Sequence, residues 1–142
     1  MKIRAFDPGG STGVCELDTE TMEFGFWTYG PEDHHQAVYD DIYVLPPDLV
    51  ICERFLNRGN VAAKLISGEY VGIIRLVCLQ MDIPVELHVP DQKTWWNDSK
   101  LKRIGLWHGG TVHRHERDAL RHVLYYMTFK VGDDTWVRRL SG

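Results

Sequence analysis

Two short apolar runs, each ending on an acid, constrain this chain more than any other feature: "KIRAFD" at residues 2–7 and "DLVICE" at residues 48–53. Near-continuous hydrophobic runs of this length read as strands covered on both faces. Each is followed at once by polar or glycine-containing sequence, "PGGSTG" after Asp7 and "RFLNRGN" after Glu53. A carboxylate leaving a buried strand is costly to desolvate unless it has a cation partner or coordinates a metal. If the two strands are sheet neighbours, Asp7 and Glu53 meet at one edge, where a hard cation such as Mg²⁺ finds the oxygen ligands it prefers. A turn aspartate beside a salt-bridged glutamate is the plainer alternative.

The segments around these runs set the fold class. "VCEL" and "EFGFWTYG" (23–30) predict two further strands in an antiparallel meander with the first. Residues 32–43 predict a short helix, and Pro46-Pro47 breaks the chain before the second acid-terminated strand. Residues 61–81 predict a long helix, apolar on most of its circumference, with Gly68 and Gly72 spaced to admit another backbone. "IPVELHV" is a buried strand stopped by Pro90, and a closing helix is expected from about 112 to 129 after a polar, Trp-rich connection. Strands first, then strands alternating with helices, give an α/β fold: a mixed five-stranded sheet, three antiparallel strands then parallel ones, flanked by helices. At 142 residues one domain over 1–142 is expected.

Other classes fall away. The best membrane candidate, "YVGIIRLVCLQM", is interrupted by Arg75 well short of the ~18 apolar residues a span requires. "MKIRAFDPGG" meets Asp7 too soon for a secretory signal. Cys15, Cys52 and Cys78 are odd in number and set among apolar residues, which fits reduced thiols in a cytoplasmic protein.

The net charge of −4 hides an asymmetry. Residues 1–53 carry two basic side chains against eleven acidic ones, whereas residues 93–122 carry seven basic against three acidic. Cations gathered in this way suit a polyanion, although a solvated helix face would look the same. Within that window lies "HRHERDALRH" (113–122). At ~100° per residue, His115, Asp118, Ala119 and His122 share one wedge of a helix. Leu120, Val123, Leu124 and Met127 fill the adjoining arc toward the sheet, and Arg114, Arg117 and Arg121 form a stripe on the other flank of Asp118. A zinc-protease HExxH motif would need histidine at 119, where Ala119 stands, and no cysteine is near enough for a mixed Cys/His site. What remains is a metal-capable pair beside a phosphate-gripping stripe, or a polar helix start.

"AFDPGGSTG", then "LVICERF", then "HERDAL" at the head of the last helix resemble the RuvC family of Holliday junction resolvases, in the RNase H-like superfamily, and most of all its small phage-encoded members. The likeness covers nearly the whole chain. It implies that Asp7 is similar to the family's metal-bridging aspartate, Glu53 to the glutamate ending the fourth strand, Asp118 to the final aspartate and His115 to the residue three before it. It further implies two Mg²⁺ or Mn²⁺ ions and a homodimer that nicks two like-oriented strands of a four-way DNA junction. Phe55 resembles an aromatic inserted into the junction, and Lys93 a lysine close to the scissile phosphate. "TWWNDSKLKRIGLW" (94–107) stands where the family has a glycine-rich, lysine-bearing stretch. Lys100 and Lys102 there, with Arg114, Arg117 and Arg121, are the remaining candidates for DNA contact.

The apolar helix 61–81 is either buried within one subunit or forms a two-fold interface that pairs two active sites. Rival functions are a YqgF-type RNA-processing nuclease, a less selective flap or branch nuclease, and a junction-binding protein without catalysis. A sugar kinase or actin-like ATPase shares the D-x-G-x-x-x-T-G phosphate loop but needs two such domains and a much longer chain.

Overall fold

The computed structural model describes residues 1–54, 61–107 and 114–142, with the side chains of residues 34 and 61–64 left aside. Five strands, β1 (Lys2–Asp7), β2 (Thr12–Asp18), β3 (Glu23–Tyr29), β4 (Leu49–Glu53) and β5 (Val85–His88), form one sheet in the order β3-β2-β1-β4-β5. β1, β2 and β3 pair antiparallel, and β4 and β5 join parallel to β1. The expected mixed sheet is therefore present, and the two acid-terminated strands lie side by side at its centre.

Helices cover both faces. α1 (His34–Val44) and α2 (Val61–Gln80) pack on one face, where Phe6, Val14, Val50 and Cys52 meet Ile42, Ile74 and Val77. α5 (Arg114–Tyr125) crosses the other face on β1 and β2, with Leu120, Val123 and Leu124 on Ala5, Cys15 and Ile51. Strand alternation decides which side chain goes where. Ile3 and Ala5 face α5, so Asp7 does too; Leu49 and Ile51 face α5, so Glu53 follows.

The Trp-rich connection is more ordered than its polarity suggests. It forms α3 (Pro90–Lys93) and α4 (Asp98–Arg103), anchored through buried Trp96, Leu101 and Ile104. Pro90 opens α3 at a position where its missing N–H costs nothing, and the Asn97 side chain accepts the Lys100 N–H to cap α4. The closing helix also differs from expectation. After Tyr125 it widens into a π-helical stretch, Tyr126–Val131, and stops at Gly132, whose φ of 80° favours glycine. A last helix, α6 (Thr135–Ser141), follows and docks Trp136 into the core. The expected start of the closing helix, at 112–113, lies outside the described residues.

Among the described residues Gly68 and Gly72 mediate no close backbone approach, since a Cβ at either would meet nothing within 4 Å. Gly13 does. A Cβ there would lie 2.1 Å from the His115 carbonyl carbon and 2.5 Å from the Glu116 nitrogen, so α5 rests its first turn on the bare backbone of β2.

Candidate functional site

The first turns of α5 and the ends of β1 and β4 converge on one place. Phe6 pairs with Cys52 across β1 and β4, which sets Asp7 and Glu53 next to each other. Asp7 is 4% exposed and Glu53 fully buried. His115 Nδ1 lies 3.0 Å from Asp7 Oδ2. The Lys93 ammonium, carried in by α3, stands 2.9 Å from Glu53 Oε1 and 3.1 Å from Asp118 Oδ2. Arg121 Nη1 donates to Asp118 Oδ1 at 3.0 Å, and its other nitrogen pairs with Asp98 at the start of α4. Asp7, Lys93, Arg114, His115 and Asp118 help line a cleft of about 360 Å³, with Gly9 and Gly10 at its rim.

Burial and the crowding of acids together set the electrostatics of the site. Burial, opposed by His115 and reinforced by Glu53, pushes the Asp7 carboxyl up to about 7. Burial also works against the Glu53 charge, but His122, Asp7 and Lys93 outweigh it and hold that carboxyl well below its usual range. Burial opposes the Lys93 charge as well, yet Asp7, Glu53 and Asp118 together hold its ammonium above the usual lysine value.

These residues fit a divalent cation. The donors are hard carboxylate oxygens with one imidazole, a set suited to Mg²⁺ or Mn²⁺. Burial holds one of the acids, Asp7, up to about 7, where a bound cation would favour its ionised form, and a lysine already acts as the cation between the other two carboxylates. Among the described residues no three donors close on one point as they stand, because Lys93 occupies the space between Glu53 and Asp118.

The basic residues read from the sequence are distributed unevenly. Arg114 is exposed and lines the cleft. The stripe expected with it does not form. Arg117 is only 9% exposed, with its guanidinium 4.3 Å over the Trp107 ring, whose electron-rich face draws the cation in. Arg121 is turned onto Asp118 and Asp98. Lys102 is exposed and 4.5 Å over the same Trp107 ring, and Lys100 lies 3.5 Å over Trp95 while donating to its carbonyl. Phe55 and His113 lie outside the described residues. Glu116, set aside as a ligand, is buried where α5 meets β2.

Two residues at the site escaped the sequence reading in part. His122 is fully buried with Nε2 3.5 Å from Glu53 Oε2, and His88, paired with Glu53 across β4 and β5, meets it at 3.1 Å between Nδ1 atoms. The shared wedge with His115 and Asp118 pointed to His122. The signal for His88 was a polar residue closing a short strand of alternating apolar and polar side chains, "VELH".

A five-stranded sheet of this order and direction, with helices on both faces, defines an RNase H-like fold. Within that class the likeness is to RuvC. The structure of Thermus thermophilus RuvC in complex with Holliday junction substrate matches 94% of this chain and 96% of its own, with a TM-score of 0.69 at 16% identity. A second Thermus thermophilus RuvC structure matches 93% and 97%, with a TM-score of 0.59 at 17% identity. In sequence, the chain is 33% identical over 57 residues to the crossover junction endodeoxyribonuclease RuvC of Corynebacterium diphtheriae. That match covers 40% of this chain and 35% of the relative's length. No family model matches the chain.

Proposed function

We propose that this chain is a metal-dependent endodeoxyribonuclease that resolves branched DNA, with the four-way Holliday junction as substrate, and that it acts as a homodimer. The observation that carries the reading is the convergence of Asp7, His115 and Asp118 on one cleft at the ends of the central strands, with buried Glu53 joined to them through Lys93. The whole-chain likeness in fold to a RuvC structure containing a Holliday junction supports the substrate class.

Asp7, Glu53, Asp118 and His115 would hold two Mg²⁺ or Mn²⁺ ions, which activate water and stabilise the leaving oxygen in phosphodiester hydrolysis when bound. The protein's own groups do the rest. Asp7 offers two carboxylate oxygens at the centre of the cluster. Lys93, on a flexible stem, can turn its ammonium from the carboxylates to a phosphate entering the cleft. Arg121 holds Asp118 in place from the α4 side. His115, at the cleft wall, can carry a proton between phosphate oxygens and solvent. Arg114 and Lys102 face outward and supply salt-sensitive phosphate affinity, with Lys100 beside them.

The dimer reading rests on α2. Leu65, Leu76 and Leu79 are exposed on it, and an apolar groove of about 520 Å³ runs between α2 and β5. A two-fold interface there would cover this surface and set two clefts for two cuts. Work on DNA would place the protein in the cytoplasm, in keeping with three buried free cysteines. Among the described residues no helix is long and apolar enough to cross a membrane.

The test is a cleavage assay with Mg²⁺ or Mn²⁺ on a synthetic four-way junction, alongside duplex, flap and RNA controls. Paired symmetric nicks in the junction are expected, and Asp7→Asn should abolish cutting while sparing binding. Equal cutting of duplex, flap and junction would reduce the reading to "nuclease". Preferential cutting of RNA would favour the YqgF-type activity, and normal cutting by Asp7→Asn would dismiss the site.

A further inference from the structure

Behind Glu53, on its buried side, three polar side chains form a line. His122 Nε2 is 3.5 Å from Glu53 Oε2, His122 Nδ1 is 3.1 Å from His88 Nδ1, and His88 Nε2 is 3.1 Å from Glu86 Oε2 at the sheet edge. Both imidazoles are buried, as is Glu53, whereas Glu86 reaches solvent. A pair of satisfied core histidines is the ordinary explanation for such a contact, but it leaves one fact over. His122 Nε2 has no formed hydrogen bond, since 3.5 Å is the outer limit for one, and yet it is aimed at a carboxylate of the site.

The direction of the protons along the line follows from burial. Two facing Nδ1 atoms need one donor and one acceptor. Glu86 can turn to water and give up its 3.1 Å contact with His88, while buried Glu53, whose Oε2 already accepts from Lys93 at 3.2 Å, must find any further donor within the protein, so the greater cost falls on Glu53. The donors therefore run inward: His88 Nδ1–H to His122 Nδ1, and His122 Nε2–H toward Glu53. Resting on the metal-centre reading above, we infer that His122 is a positioning residue that fixes the Glu53 carboxylate, and that His88 sets the His122 tautomer for that task. Held at Oε2, where Lys93 also donates at 3.2 Å, Glu53 turns Oε1 toward the same ammonium, 2.9 Å away, and so toward the cleft that Lys93 lines.

Two amides separate this role from simple core filling. Glutamine at 122 places an amide near Nε2 and keeps the donor toward Glu53; asparagine places it near Nδ1 and keeps only the contact with His88. Mn²⁺ is titrated calorimetrically into DNA-free protein, with thermal unfolding of each variant measured in parallel. His122→Asn should weaken Mn²⁺ binding about tenfold or more, the usual scale for removing a partner that orients a ligand, while His122→Gln stays within about threefold of wild type. Equal affinities for the Asn and Gln variants would overturn the inference. Should neither fold, His88→Leu makes the same test from the far end of the line, with a several-fold loss expected and an unchanged affinity overturning it. Asp7→Asn separates this inference from the reading it rests on. If wild type binds Mn²⁺, Asp7→Asn does not, and His122→Asn binds normally, only the positioning role falls; if wild type binds no Mn²⁺, both fall together.

Discussion

Asp7→Asn should stabilise the metal-free protein while destroying its activity. Asp7 lies 4% exposed at the end of β1, and burial lifts its carboxyl from 3.8 to about 7. Because the folded-state value lies above the unfolded one, the native state binds more protons between about pH 4 and 7. Stability then falls as pH rises through that window. At about 1.4 kcal/mol per pKa unit, a rise of roughly three units corresponds to about 4 kcal/mol at most above pH 7. Asparagine mimics the protonated acid: its carbonyl can still accept from His115, and its amide can donate to Glu53. Urea unfolding with EDTA at pH 5 and pH 8 is the assay. The variant should exceed wild type by roughly 1.5 kcal/mol at pH 5 and by about 4 kcal/mol at pH 8. Mn²⁺ should reverse the order, since an ion bound only by the folded wild type adds stability by mass action. A variant less stable than wild type at pH 8, or a gap that does not depend on pH, would refute the reasoning that buried charge is what strains this site.

Three further outcomes follow from the geometry. Gly13→Ala forces a methyl into the backbone of His115 and Glu116, so urea unfolding should show a loss of about 1–3 kcal/mol, as overpacking does, and junction cutting should drop with the displaced His115. Leu79→Asp, at a position 76% exposed, should change monomer stability by under about 0.5 kcal/mol. In sedimentation it should nonetheless convert a dimer to a monomer and turn paired cuts into single nicks. Lys102→Ala and Arg114→Ala should each weaken junction binding at low salt and lower the slope of log affinity against log salt by about 1, read by fluorescence anisotropy.

Much of this arrangement was legible from local pattern alone. Asp7 and Glu53 announced themselves because a buried strand that ends on an acid is expensive, and strand alternation then sends both to the same face. The α5 core face followed from helical periodicity, and Leu120, Val123 and Leu124 are buried as that periodicity requires. What escaped depends on contacts between distant segments. Arg117 looked solvated until Trp107 covered it, and no spacing within α5 contains that fact. His88 and His122 stand 34 positions apart and meet only once β5 is in register with β4. The four- and six-residue helices α3 and α4 are too short to show a period; their stability comes from Trp96 and Leu101 in the core.

β1 carries buried charge at both ends and resolves it in opposite ways. Near its start Arg4 is locked to Glu16, to Asp41 and to the Leu45 carbonyl, a closed set of bonds with nothing left to exchange. At its finish the carboxylates are answered by Lys93, a tethered counter-ion on a long stem. The chain thus brings its own placeholder cation to the sheet edge, so folding does not wait on an ion from solution. Chelators that unfold a zinc finger should leave this protein folded.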